Sequence, residues 1–219
     1  MGTLEALLEW NPLDKPSFTA LVCHPHPLYG GTMHNKVVFR AAKAAVQTGL
    51  PTLRFNFRGV GKSTGVYDGG HGEHDDVRAA LNYLGARFPA LPVFLIGFSF
   101  GAVVGLRVGA DDSRVAALAG LGVPVGSEDL SFLLRVVKPK LIVQGTLDQF
   151  GPRAEVEAFY ASLPEPKQIH WVLNADHFFT GKLEEVQRAV REFLRSQRAP
   201  SEMGRPTGPE PPERATYPS

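Results

Sequence analysis

Residues 93–106 constrain this chain more than any other stretch. An apolar run, Val93 to Ile96, enters Gly97-Phe98-Ser99-Phe100-Gly101, and a small-residue pattern leaves it, Gly101 to Leu106. The run reads as a buried strand and the pattern after it as a helix. A chain that passes from strand to helix inside one G-x-S-x-G motif must turn sharply, which lifts the serine Oγ above the sheet edge. Glycine at 97 and 101 fits that turn, because strand and helix backbones come close and a Cβ would collide. The same five letters also suit an ordinary buried turn, so the chemistry depends on what the rest of the chain supplies at the same edge.

Taken in order, strand and helix patterns alternate. Leu4 to Trp10 reads as an edge strand, and Phe18 to Cys23 as a strand buried on both faces. The latter ends in His24-Pro25-His26-Pro27-Leu28-Tyr29-Gly30-Gly31, which fits neither element. Asn35 to Thr48 is predicted as a helix closed by Gly49 and Pro51, and Thr52 to Phe57 as the next strand. A glycine-rich loop, Arg58 to Gly72, precedes a helix with an acidic start at Glu73-His74-Asp75-Asp76, which suits the positive end of its dipole. Its apolar face is Val77, Leu81, Leu84 and Phe88. Beyond the serine motif, Val115 to Gly120, Leu141 to Gln144 and Gln168 to Leu173 read as strands. Leu130 to Val137 reads as a short helix. Val156, Phe159 and Leu163 mark another helix, and Leu183, Val186, Val190 and Phe193 a last one. Such alternation implies an α/β fold, a mostly parallel sheet of about seven strands with helices on both faces.

Size and composition set the outer bounds. The 219 residues are 43% hydrophobic and 21% charged, with a formal net charge of +1. That suits one globular domain and gives no support for binding nucleic acid or an anionic membrane surface. Cys23 is the single cysteine and, inside an apolar run, reads as a core residue suited to a reducing compartment. The first residues lack the basic start of a signal peptide, and no apolar stretch approaches the about 20 residues of a membrane helix. A cytoplasmic protein is the expectation. Residues 1–198 read as one domain. From 199 to 219, proline and glycine displace aliphatic residues, so that tail is expected to be mobile.

A serine hydroxyl is a weak nucleophile. It needs a base to take its proton and an acid to orient that base. A serine raised on this kind of turn draws them in the chain order Ser, Asp or Glu, His, each from a strand end. Ser99, Asp148 and His177 satisfy that order. Asp148 follows the strand at 141–144, and His177 follows the strand at 168–173. Parallel strands put those ends on one rim. Asp176 adjoins His177 in sequence and points elsewhere on stereochemical grounds, so it reads as a turn-capping residue. Glu128 and Asp129 precede the strand that would present the acid.

An oxyanion hole is the remaining requirement. One donor is expected from the backbone N–H of Phe100, directly after the nucleophile, and the second from the loop after the strand at 18–23. Pro25 and Pro27 carry no N–H, which leaves His26 as the donor, with Leu28 in reserve. His24, His26 and His34 have no carboxylate nearby to complete a metal site; no metal or cofactor is expected. His71 and His74 read as solvated loop residues. Gly59-Val60-Gly61-Lys62-Ser63-Thr64 resembles a phosphate-binding loop, but the spacing demands glycine where Asn56 stands, and no helix signal starts at Lys62. It reads as a structural loop, with Arg58 anchoring it through backbone carbonyls.

Several motifs together carry a family resemblance: His24-Pro25-His26-Pro27 with Gly30-Gly31-Thr32-Met33, then Asn35-Lys36-Val37, then Arg54 to Gly61, then Gly97 to Gly101. Over residues 1–198 the chain resembles small bacterial α/β-hydrolases, a family similar to dienelactone hydrolases and to the catalytic domain of prolyl-oligopeptidase-like enzymes. The resemblance implies the α/β-hydrolase fold, Ser99 as nucleophile, His177 as base, Asp148 as orienting acid, and carboxylesterase activity on short acyl esters. A thioesterase or amidase could use the same parts. The stretch from Val123 to Pro139, where such enzymes insert a lid, is short enough for only a low wall. An open site for small or medium esters follows, with Phe98, Phe100, Phe150, Phe178 and Phe179 as candidates for an acyl pocket. The expected partner is a small-molecule ester; a homodimer is compatible with the sequence, which does not fix the oligomeric state.

Overall fold

The computed structural model describes residues 2–197; the proline-rich stretch 199–219 lies outside them. Seven strands form one sheet: β1 (Ala6–Glu9), β2 (Thr19–Cys23), β3 (Thr52–Phe55), β4 (Val93–Phe98), β5 (Val115–Leu121), β6 (Lys140–Gly145) and β7 (Lys167–Val172). Their order is β1-β3-β2-β4-β5-β6-β7. Only β1 runs antiparallel, pairing at the edge with β3. Five helices connect them: α1 (Lys36–Val46), α2 (His71–Arg87), α3 (Phe100–Asp111), α4 (Arg153–Ser162) and α5 (Leu183–Ser196). No helix among the described residues is long and apolar enough to cross a membrane.

Alternation along the strands sorts the core into two layers. Leu21, Leu53, Leu95, Leu118 and Ile142 face α2, α3 and α4. Ala20, Val22, Phe94, Ile96 and Val143 face α1 and α5. The α5 stripe of Val186, Val190 and Phe193 is buried, and each such side chain contributes about 1.5–3 kcal/mol. Cys23 lies in the first layer with no exposure, and burial pushes its thiol pKa up.

The sheet order locates a crevice. From β2 the chain moves outward to β3, and from β4 it moves the other way to β7. Strands β2 and β4 are neighbours in parallel register, Cys23 opposite Gly97. The carboxyl ends of two such strands form a topological switch point, where open α/β sheets place their ligand sites.

Several element ends differ from the sequence expectation, β1 among them, which spans only Ala6–Glu9; three of the differences have a clear local reason. Strand β3 stops at Phe55 because the Phe57 N–H donates to the His24 ring (2.9 Å) instead of a neighbouring strand. Helix α2 begins at His71, two residues before the acidic run, because the Glu73 carboxylate reaches back to the Gly70 N–H (2.8 Å). Residues 130–137 form only a 3-10 turn, Ser131–Arg135, and Val136 is already extended. Lys138-Pro139 follows, and a residue before proline resists helix. Phe132 and Leu133 fasten this turn to the core, and the Arg107 guanidinium sits 4.5 Å over the Phe132 ring. It is a low wall and not a lid.

Candidate active site

Ser99 occupies the turn between β4 and α3 with φ 55° and ψ −122°. A non-glycine residue in this region costs of order 1–3 kcal/mol, sustained only when the surroundings dictate the geometry. They do so here. The Ser99 N–H is fixed to the Leu121 carbonyl (2.9 Å), and its own carbonyl starts α3 by accepting from Ala102 (2.8 Å). Gly97 lies against the Gly101 and Ala102 backbone, and Gly101 against the Cys23 and His24 carbonyls. A methyl group at either position would have to push backbone aside.

Asp148 and His177 come from the loops after β6 and β7. These loops are tied to each other by Leu147 N–H to Ala175 O (2.9 Å) and Thr146 N–H to Val172 O (3.1 Å). Gly145 completes the join, packing against the Ala175 and Asp176 carbonyls where no Cβ would fit. The His177 ring spans the gap. Its Nδ1 lies 2.9 and 3.0 Å from the two Asp148 oxygens, and its Nε2 lies 2.9 Å from Ser99 Oγ. A neutral imidazole so placed donates from Nδ1 to the carboxylate and accepts the Ser99 hydroxyl proton at Nε2. Asp148 and His177 are both buried, at 3% exposure each, so water competes little for these bonds.

The carboxylate is held from behind by a residue that sequence reasoning missed. Gln144, fully buried on β6, donates from Nε2 to Asp148 Oδ2 (2.8 Å). Its Oε1 accepts from the Val123 N–H (2.8 Å). The Phe150 N–H donates to Asp148 Oδ1 (2.9 Å). The available signal was a glutamine inside an apolar strand, since a buried amide must find partners. Asp176 is a turn-capping residue: it accepts from the Thr180 N–H (2.9 Å) and hydroxyl (2.8 Å) and from the Phe178 N–H (3.1 Å). Those bonds, the Thr180 N–H foremost, hold its pKa below the usual carboxylate range.

Next to Ser99, the Phe100 N–H at the start of α3 and the His26 N–H donate to no acceptor among the described residues. Their rings are neighbours, with centroids 4.9 Å apart. The Leu28 N–H, the reserve donor, is already committed to His26 Nδ1 (3.2 Å). His24 is buried, with Nδ1 2.6 Å from the Pro25 carbonyl and Nε2 accepting from Phe57. His34 is exposed, and His71 and His74 lie in the first turn of α2.

The glycine-rich loop also departs from expectation. Arg58 does not bind backbone carbonyls. It forms an ion pair with Asp76, Nη2 to Oδ1 at 2.9 Å, while its N–H donates to Oδ2 (2.9 Å). Residues 59–64 are turns and irregular loop, and the next helix starts only at His71. Tyr67 stands at the far side of this loop, beside His26, Phe100 and Glu128 in a groove of about 390 Å³. A neighbouring hollow of about 490 Å³ shares Arg107 and His74 with it. There Arg114 is paired with Asp112 and Arg78 with Asp75. Of the five phenylalanines considered for an acyl pocket, Phe98 and Phe179 are core residues without exposure. Phe100 lines the groove. Phe150 and Phe178 are exposed and flank the His177 ring at 4.7 and 5.3 Å.

A seven-stranded, mostly parallel sheet with a strained serine after its central strand defines a class, and the comparisons with known proteins agree with it. A family model described as an alpha/beta hydrolase domain matches residues 29–196. The chain belongs to this α/β-hydrolase family. It is 39% identical over 184 residues to an uncharacterised protein, RP471, of Rickettsia prowazekii, covering 80% of this chain and 77% of that one. An alpha-beta serine hydrolase homologue from Coxiella burnetii superposes with a TM-score of 0.83 at 41% identity, over 88% of this chain and 92% of that one. XC6422 from Xanthomonas campestris, described as a serine hydrolase without lid, gives 0.81 at 33% identity, over 91% and 96%.

Proposed function

We propose that this protein is a serine carboxylesterase acting on short- to medium-chain acyl esters through an acyl-enzyme. The observation that carries the reading is the continuous hydrogen-bonded line from Ser99 Oγ through the His177 ring to Asp148, with 2.9 Å at each end. In this reading Ser99 attacks the ester carbonyl as its proton passes to His177 Nε2. Asp148 stabilises the imidazolium and keeps the ring in register. The unpaired amides of His26 and Phe100 receive the oxyanion, each such donor accounting for about 10²–10³ in rate. His177 returns the proton to the departing alcohol, and water repeats the sequence on the acyl-enzyme.

The low wall at 131–135 and the exposed Phe150 and Phe178 favour an open, partly apolar approach for the acyl group. With no lid to lift, activity should not jump when substrate passes its solubility limit. A series of p-nitrophenyl esters from C2 to C16 tests the proposal, with a matched thioester and anilide alongside. Turnover should be greatest for short and medium chains and smooth across the solubility limit. Hydrolysis of the anilide or thioester in preference to every ester would overturn the assignment to esters.

A further inference from the structure

The second oxyanion amide belongs to a loop, and a loop amide aims correctly only if something holds it. The His26 side chain is gripped at both nitrogens. Nδ1 accepts from the Leu28 N–H (3.2 Å), so a neutral ring carries its hydrogen on Nε2. That hydrogen is donated to Tyr67 Oη, 3.1 Å away. Burial supports the neutral form by pushing the His26 pKa down, against Glu128 and Glu73. The ring also packs against Tyr29, Tyr67 and Phe100, with centroids 4.7, 4.9 and 4.9 Å away.

Tyr67 is itself fixed. It precedes Asp68 and Gly70, whose N–H groups donate to the two Glu73 oxygens at 3.0 and 2.8 Å. Glu73 has no exposure and is part of α2. The loop beyond Phe57 is pinned at its other end by the Arg58–Asp76 pair, also on α2. A rigid helix therefore reaches His26 through one short bracket, and the glycine-rich loop supplies it.

We propose that Tyr67 is a positioning residue, whose hydroxyl holds the His26 imidazole and through it the orientation of the His26 amide toward the oxyanion. This rests on the esterase reading above. It assigns a purpose to the loop that mimics a phosphate-binding motif. Misaiming one donor is milder than deleting it, so the loss in rate should be about tenfold, short of the 10²–10³ for complete removal.

The test is a double-mutant cycle in the full chain, with Tyr67→Phe, His26→Asn and the pair. Asparagine keeps an acceptor for the Leu28 N–H but does not reach Tyr67. Readouts are kcat and KM for p-nitrophenyl butyrate, the inhibition constant of an alkyl trifluoromethyl ketone that mimics the oxyanion, and thermal unfolding. Tyr67→Phe should lower kcat about tenfold, leave KM and Tm unchanged, and weaken the ketone by the same factor. The double variant should lose no more than the larger single loss, because both substitutions cut one connection. Multiplicative losses would overturn the inference by showing that Tyr67 acts independently of His26. So would a Tyr67→Phe variant with unchanged kcat. Those results leave the esterase reading intact, whereas a wild type that hydrolyses no ester removes both.

Discussion

At the scale of single residues, His24 shows how burial can set a protonation state. With Nδ1 on the Pro25 carbonyl and Nε2 on the Phe57 N–H, it is buried as the neutral ring. Burial, the larger effect, pushes its pKa from 6.5 down to about 4. The unfolded chain binds this proton near pH 6.5 and the folded chain does not. The stability contribution is therefore complete above that pH and declines as the pH falls toward 4, by roughly 3 kcal/mol. Urea unfolding of wild type and His24→Gln at pH 7.5 and 4.5 measures it. The variant should be less stable at pH 7.5 and should lack this part of the acid-induced loss; equal losses in both proteins would refute the account. The meeting of Ser99, Asp148 and His177 on one rim was legible in the sequence because each follows a strand, and strand ends share a rim. Gln144 and Tyr67 were not, because their partners are chosen by how loops fold over the rim. Arg58 was misread for a similar reason: its partner Asp76 lies 18 positions onward, on a helix whose orientation the loop sequence does not reveal.

At the scale of elements, the decisive fit is between the start of α3 and the end of β2. Gly101 and Gly105 lie on the same face of α3, yet they meet different neighbours. A Cβ at Gly101 would strike the Cys23 and His24 carbonyl oxygens, which are backbone. At Gly105 it would come 2.9 Å from Leu95 Cδ2 and 3.1 Å from Cys23 Sγ, side-chain atoms that can shift. Gly101→Ala should therefore cost about 3 kcal/mol, at the upper end of overpacking effects. Gly105→Ala should be close to neutral, because the helix gains about 1 kcal/mol from losing an interior glycine. Denaturant unfolding of the two variants checks this, and an equal cost at both would mean that the turn is not as tightly seated on β2 as described. Helices and strands were readable as periodic patterns, but their ends were not. Glu73 lengthened α2 backwards through its own side chain, and Lys138-Pro139 limited 130–137 to the short 3-10 turn. In both cases one residue's local chemistry, a cap or a proline, outweighed the periodic pattern.

At the scale of the whole molecule, the sheet order does the assembling. Reversal of the order in which strands are added, on either side of the parallel pair β2 and β4, opens a crevice at their carboxyl ends, where the proline-bracketed loop meets the serine turn, while β6 and β7 bring Asp148 and His177 along the same rim. The alternation of elements made the α/β architecture readable in advance, but the groove between Tyr67 and Glu128 arises only when two loops distant in sequence close over α3. We propose that this convergence activates Ser99. A fluorophosphonate, followed by peptide mass spectrometry, measures it most directly. A single stoichiometric adduct is expected on Ser99 in wild type, none in Ser99→Ala, and strongly slowed formation in His177→Ala. An adduct on a different serine, or a folded wild type that hydrolyses esters while Ser99 stays unmodified, would contradict it.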